Sequence, residues 1–281
     1  MSQIQQSLKR FLPTPVRDVT RVAWYALYRA GQWPAATFHP WRRASLSQLA
    51  ALKDAHRGER CFIVGNGPSL KHTDLSRLRY EYTFGMNRIY LLFPQLGFTT
   101  TYYLSVNDLV IEQCAADILA LPVPKFLSWR ARDLIQPALM TSGGFSADRR
   151  LIFLHTTYTG PRFTLDARQR MWEGATVTYI ALQLAFHMGF KQVILIGVDH
   201  DFKTSGKPNT TVVSQGDDPD HFDRNYFGKG FRWQLPDLET SERSYRMARL
   251  AYADAGREVV DATVGGKLTV FPKVEYGSLF R

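Results

Sequence analysis

The chain has 281 residues, 45% of them hydrophobic and 21% charged, enough to bury a sizeable core in one large α/β domain or a domain with extensions. Its two cysteines, Cys61 and Cys114, are too few for a disulfide scaffold or a cysteine-based zinc site. The net charge of +10 favours acidic partners (nucleotides, nucleic acid or an anionic membrane face), and no apolar run reaches the ~18–20 residues needed to cross a bilayer.

Residues 1–58 read as a basic, partly helical N-terminal extension. Lys9, Arg10, Arg17, Arg21, Arg29, Arg42 and Arg43 lie among Val22, Ala23, Trp24, Leu27 and Tyr28 at helical spacing, followed by Trp33 and Trp41. A basic helix with aromatic anchors can lie on an anionic membrane; it can equally pack its aromatic face on the rest of the protein. Residues 1–21 lack the apolar core of a secretory signal, which with the low cysteine count points to the cytoplasm. A second helix is expected over residues 45–56, with Ser45 as its cap and Leu46, Leu49 and Leu52 on one face.

The remainder, residues 59–281, reads as one nucleotide-binding domain. Residues 61–64 form a short apolar run that reads as a buried strand, and it stops at Gly65-Asn66-Gly67-Pro68-Ser69. The two glycines let the backbone turn and approach a ligand closely, Pro68 fixes its own φ, and Ser69 can cap a helix or turn start. Free amides in such a turn can hold phosphate, and Asn66 adds a donor and an acceptor. The bland alternative is a plain tight turn. A short helix or turn is expected over 70–78, strands over 82–87 and 99–106, and a helix over 108–119. Asn87 and Asn107 thus join Asn66 at strand ends, with Asp108 beside Asn107. Ligands of open parallel sheets bind beyond the carboxyl ends of the strands, although asparagine also favours turns for its own reasons.

Strands are expected over 125–129 and 151–154, and the stretch containing Ser142-Gly143-Gly144 reads as loop-rich. The strongest pattern is a helix over 174–188, Thr176 near its start, Gly189 as its cap, then Phe190-Lys-Gln-Val-Ile-Leu-Ile-Gly197-Val-Asp199. It implies a crossover into a buried parallel strand that delivers Asp199, His200 and Asp201 to the same edge as the asparagines. Residues 203–235 are polar and read as a lid, with His221-Phe222-Asp223-Arg224-Asn225-Tyr226-Phe227-Gly228 inside it. A helix over 237–255 and a strand over 258–262 finish the pattern.

Taken together, Gly65–Leu70 as GNGPSL, the strand ending at Asn87, the helix followed by GFKQVILIGVD and the downstream His-Phe with Tyr-Phe-Gly resemble two linked groups. One is the bacterial CMP-sialic-acid-dependent sialyltransferases. The other is a wider set that includes flagellin-glycosylating motility accessory factors and archaeal 6-hydroxymethylpterin diphosphokinases. The resemblance covers residues 60–265. It implies a Rossmann-like α/β fold, a mostly parallel sheet flanked by helices, with a nucleotide at the strand ends and a lid over it. It also implies donor contacts at Asn66, Asn87 and Asn107 and a catalytic base at His221. Two departures stand out. Gly174-Ala-Thr-Val-Thr replaces an Arg-x-Thr-Ser-Gly stretch, and the Asp201-Phe202 region replaces the tyrosine that steadies the leaving phosphate. Tyr226, Arg224 or Lys229 are the candidates for that task.

Three functions emerge as expectations. The first is a glycosyltransferase moving an acidic sugar from a CMP-activated donor to a glycan, lipid-linked or protein acceptor, with His221 as base and no metal required. Its nucleotide-binding set is Gly65, Asn66, Gly67, Pro68, Ser69, Asn87, Asn107, Asp108, Thr176, Gly197, Asp199 and His200. The second is pyrophosphoryl transfer from ATP to a pterin-like alcohol, with Mg²⁺ held by Asp199 and Asp201. The third is a basic nucleic-acid-binding module; no recognised motif for one occurs, so no nucleic-acid partner is expected.

Overall fold

The structure is a computed structural model that describes residues 23, 26, 27, 30–141 and 149–280. Val22, Trp24 and Tyr28 of the expected basic helix, and Ser142-Gly143-Gly144, lie outside the described residues. The chain divides into two compact units, Met1–Arg43 and Ala44–Arg281. In the first, residues 30–38 are helical.

Helix α1 spans Pro40–Leu52, not the expected 45–56. Proline suits a first helical position because its missing N–H would be unpaired there anyway. Ser45 does not cap: it is buried, and its hydroxyl accepts from the Phe153 amide at 2.9 Å.

The second unit is built on a seven-stranded sheet, β1 Arg60–Val64, β2 Tyr82–Met86, β3 Tyr102–Ser105, β4 Lys125–Ser128, β5 Leu151–Leu154, β8 Gln192–Ile196 and β11 Glu258–Asp261. The order is β11-β8-β1-β2-β3-β4-β5, and every pairing is parallel. This is the expected Rossmann-like α/β architecture. Its strands are covered on both faces, which is why they read as continuous apolar runs rather than alternations. Val193 to Ile196 of β8 are all fully buried.

Helices α2 Asp108–Gln113, α3 Ala115–Ala120, α4 Arg132–Thr141, α5 Val177–Met188 and α6 Leu238–Asp254 connect the strands. The single helix expected over 108–119 breaks at Cys114 into α2 and α3. The stretch 70–78 resolves into two short 3-10 turns, Pro68–His72 and Leu75–Leu78. Helix α5 is the pattern's clearest success. Thr178 to Met188 are all buried, and Gly189, at φ 94°, closes it with its amide on the Ala185 and Phe186 carbonyls. Its one buried amide, Gln183, is fully used: Oε1 accepts from Thr164 N at 3.0 Å, and Nε2 donates to the Trp172 and Tyr179 carbonyls. Two small sheets, β6 Thr156–Thr157 with β7 Met171–Trp172 and the hairpin β9 Thr211–Val213 with β10 Arg232–Gln234, were not expected. The hairpin lies inside the polar lid stretch.

Successive strands β1 to β5 run outward on one side of β1, and the chain then returns to place β8 on the other side. The order therefore reverses between β1 and β8, the point at which open α/β sheets bind ligands.

Candidate functional site

Two strand ends meet at that reversal. The chain leaving β1 is stitched to the chain leaving β8: Gly65 N donates to Ile196 O at 2.8 Å and Gly67 N to Gly197 O at 2.9 Å. A side chain cannot fit between them. A Cβ on Gly65 would collide with the Gly197 carbonyl, and one on Gly67 with the Asp199 carboxylate. The second collision gives the reason for a glycine at 67: the Asp199 carboxylate after β8 occupies the space a side chain would need. Asp199 accepts from the Ser69 amide at 3.0 Å and the Ser69 hydroxyl at 2.6 Å, fixing the start of the adjoining 3-10 turn. Burial pushes its carboxyl upward in pKa against those two bonds. Its own carbonyl accepts from Lys267 N at 2.8 Å. Pro68 opens the 3-10 turn after Gly67.

Asn66 sits between the two glycines with its Oδ1 buried and without a hydrogen-bond partner among the described residues. Its carbonyl accepts from the Phe222 amide at 3.0 Å, so the lid is fastened directly onto the glycine turn. That bond places His221 one residue from the turn.

His221 is tightly organised. Its Nδ1 lies 2.8 Å from Asp218 Oδ2, and its ring stacks on Tyr226 at 4.0 Å between centroids and 5° between planes. Phe227 meets it edge-on at 5.0 Å, with Trp233 and Phe202 further out. Asp218 is buried and also accepts from the amides of Phe227 and Asp220. Burial opposes its charge, but the His221 bond and charge and those amides outweigh burial and hold its carboxyl below the usual value. With a carboxylate at Nδ1, the proton belongs on Nδ1 and the lone pair of the neutral ring on Nε2. Such a ring can take a proton from a hydroxyl brought to Nε2.

The candidate leaving-group residues are placed differently from one another. Tyr226 is fully buried beneath His221, its hydroxyl accepts from the Arg88 amide at 3.3 Å, and burial pushes its pKa up. Arg224 and Lys229 have exposed side chains. The lid is instead latched by Arg88, whose guanidinium donates to the Asn225 carbonyl at 2.9 Å and to the Tyr226 carbonyl and lies over the Phe231 ring at 4.7 Å. At the other end Gln113 of α2 exchanges two bonds with the Arg232 backbone, at 2.8 and 2.9 Å.

The other strand ends hold the remaining expected residues. Asn87 adopts a left-handed φ of 51°, and its Oδ1 accepts from Ser105 Oγ at 3.0 Å. Asn107 caps α2, its Oδ1 accepting from Leu109 N and Val110 N. Thr176 caps α5 and meets Tyr245 at 3.3 Å. His200 lies 3.3 Å from Glu242, and Asp201 is exposed. Asp108 accepts from Arg130 Nε at 3.0 Å. Arg130 also engages Glu173, Thr156, Tyr158 and the Val106 carbonyl, tying together the ends of β3, β4 and β5. Burial works against its charge, but Glu173, Tyr158 and Asp108 outweigh it and push its pKa up. Among the described residues no three His, Cys, Asp or Glu side chains gather as a ready metal-ligand set.

Sequence reasoning missed Asp218, Arg88 and Arg130. An acid three residues before the lid histidine was the available signal for Asp218; for the arginines there was none beyond their position after a strand.

Fold and site define a Rossmann-like α/β protein with a histidine-bearing lid fastened to a strand-end glycine turn. No family model matches the chain, and no curated protein matches it. Among solved structures it is similar to the structure of MAf glycosyltransferase from Magnetospirillum magneticum AMB-1, at 13% identity and a TM-score of 0.47, over 95% of this chain and 43% of that one. The chain thus spans less than half the length of that protein.

Proposed function

We propose that the protein is a glycosyltransferase that moves an acidic sugar from a CMP-activated donor to a hydroxyl of a glycan, lipid-linked or protein acceptor. The observation that carries this reading is the Asp218–His221 pair, 2.8 Å apart in a lid whose next amide bonds Asn66 of the glycine turn. In the reaction, the acceptor oxygen attacks the anomeric carbon of the donor. Its proton passes to His221 Nε2, the bond from that carbon to the phosphate oxygen breaks, and CMP leaves with the electron pair. Asp218 steadies the imidazolium that forms. The side chain of Asn66, whose Oδ1 has no partner among the described residues, suits the nucleotide end of the donor; the free amides expected in the turn are not there to help, because those of Gly65, Gly67 and Ser69 already bond Ile196, Gly197 and Asp199. Asn87 and Asn107 line the same edge, with their Oδ1 atoms already engaged.

The alternative, pyrophosphoryl transfer from ATP to a pterin-like alcohol, asks Asp199 and Asp201 to hold Mg²⁺. The Asp199 carboxylate is committed to Ser69, which weighs against it. Calorimetry with CMP, CDP, UDP, GDP and ATP, each with Mg²⁺ and with EDTA, separates the two. Metal-independent CMP binding that Asn66→Ala abolishes supports the glycosyltransferase. Mg²⁺-dependent ATP binding without a response to CMP overturns it.

A further inference from the structure

We propose that the first unit, Met1–Arg43, lies on an anionic membrane surface. This inference is independent of the chemistry assigned to the lid.

Charge is the first support. Lys9, Arg10, Arg17, Arg21, Arg29, Arg42 and Arg43 are set against a single acid, Asp18, in the sequence of this unit, although Arg42 is buried and is not among the cations offered to a surface. About one-seventh of the chain therefore carries +6 of its net +10. A charge concentrated in that way is attracted to acidic headgroups within a Debye length of the surface.

Exposure is the second. Leu27 is 73% exposed, Trp33 57% and Phe38 64%. Trp33 and Phe38 meet edge-to-face at 5.8 Å on the helical stretch 30–38, a small aromatic pair open to solvent. An indole suits the headgroup level because its ring is apolar and its N–H polar, and Leu27 and Phe38 offer surface to acyl chains. Among the described residues no helix is long and apolar enough to cross a membrane, so the mode is attachment to the surface.

The same features disfavour other occupants. A second copy of the unit would bring +6 against +6. A nucleic acid would use the basic residues but gives no reason to expose Leu27 and Phe38.

The test is sedimentation of the full-length protein with phosphatidylcholine vesicles, with and without phosphatidylglycerol. Binding is expected only where phosphatidylglycerol is present, and it should weaken by about tenfold or more at high salt. Trp33→Ser/Phe38→Ser should lower it by a similar factor, with the thermal unfolding midpoint held. Arg29→Gln/Arg43→Gln probes the charge separately, so the proposal stays testable if the aromatic variant folds poorly. Binding that is equal on neutral vesicles, or unchanged in both variants, overturns the proposal. So does self-association that Trp33→Ser/Phe38→Ser abolishes, or preferential capture of duplex DNA.

Discussion

The Nδ1 nitrogen of His221 and the Oδ2 oxygen of Asp218 lie 2.8 Å apart, and the same oxygen accepts the Phe227 amide. One carboxylate thus sets the tautomer of the histidine and folds the lid beneath it. Asp218→Asn is close in size, but its NH2 turned toward Nδ1 donates there and gives up the bond from the Phe227 amide, which moves the ring proton to Nε2 and removes the base. The expected result is a fall in kcat of about 10²–10⁴-fold with donor KM little changed, read by initial-rate kinetics on a CMP-sugar.

Stability should track the same carboxylate. Its folded-state pKa lies below the unfolded value, so its contribution is present above about pH 4 and is lost as pH falls through the folded value. Urea melts from pH 6 to pH 3 should show a steeper acid loss in the parent than in Asp218→Asn.

Gly67→Ala forces a methyl group into the Asp199 carboxylate. It should destabilise by roughly 1–3 kcal/mol and abolish nucleotide binding. Asp199→Ala opens the space, so the double variant should be less destabilised than the two single losses combined. A double-mutant cycle by urea denaturation measures the coupling.

Arg130→Met leaves Glu173 buried beside a neutral neighbour and should cost about 3–5 kcal/mol. Arg130→Met/Glu173→Met should recover most of it, which urea denaturation can read directly.

Arg88→Ala removes the latch on the lid carbonyls at Asn225 and Tyr226. Hydrogen bonds from a charged donor are worth about 1.5–3 kcal/mol, so lid opening should rise by roughly ten- to a hundredfold. Limited proteolysis within residues 203–235 should accelerate accordingly, with the unfolding midpoint of the sheet little changed.

What the sequence disclosed was local. Apolar runs located β1 and β5 to within a residue, and the run between Gly189 and Gly197 contained β8, because strands buried on both faces need no partner to be recognised. Helix α5 was visible for the same reason, from its apolar length and Gly189. The glycine turn was visible too, but the reason Gly67 must be glycine was not: it rests on Asp199, far along the chain, whose carboxylate bonds Ser69 from 130 positions away. Asp218 was one acid among several in a polar stretch until the folded turn brought it to His221. Arg130 was harder still, since Asp108 and Glu173 lie 22 and 43 positions away on different strand ends. Ser45 misled because a serine ahead of a leucine pattern reads as a cap, and here the hydroxyl serves the Phe153 amide instead.

The order in which the turn acquires its neighbours bears on how the protein is made. Gly65 to Ser69 leave the ribosome early, whereas the carboxylate that anchors Ser69, the amide of Phe222 that fastens Asn66 and the amide of Lys267 that meets Asp199 all emerge much later. A nascent chain halted before Asp199 carries an unanchored turn, and one halted before Phe222 lacks the fastening at Asn66. Prematurely terminated products should therefore lack a finished turn, and no half-built form should bind a ligand there without the lid in place.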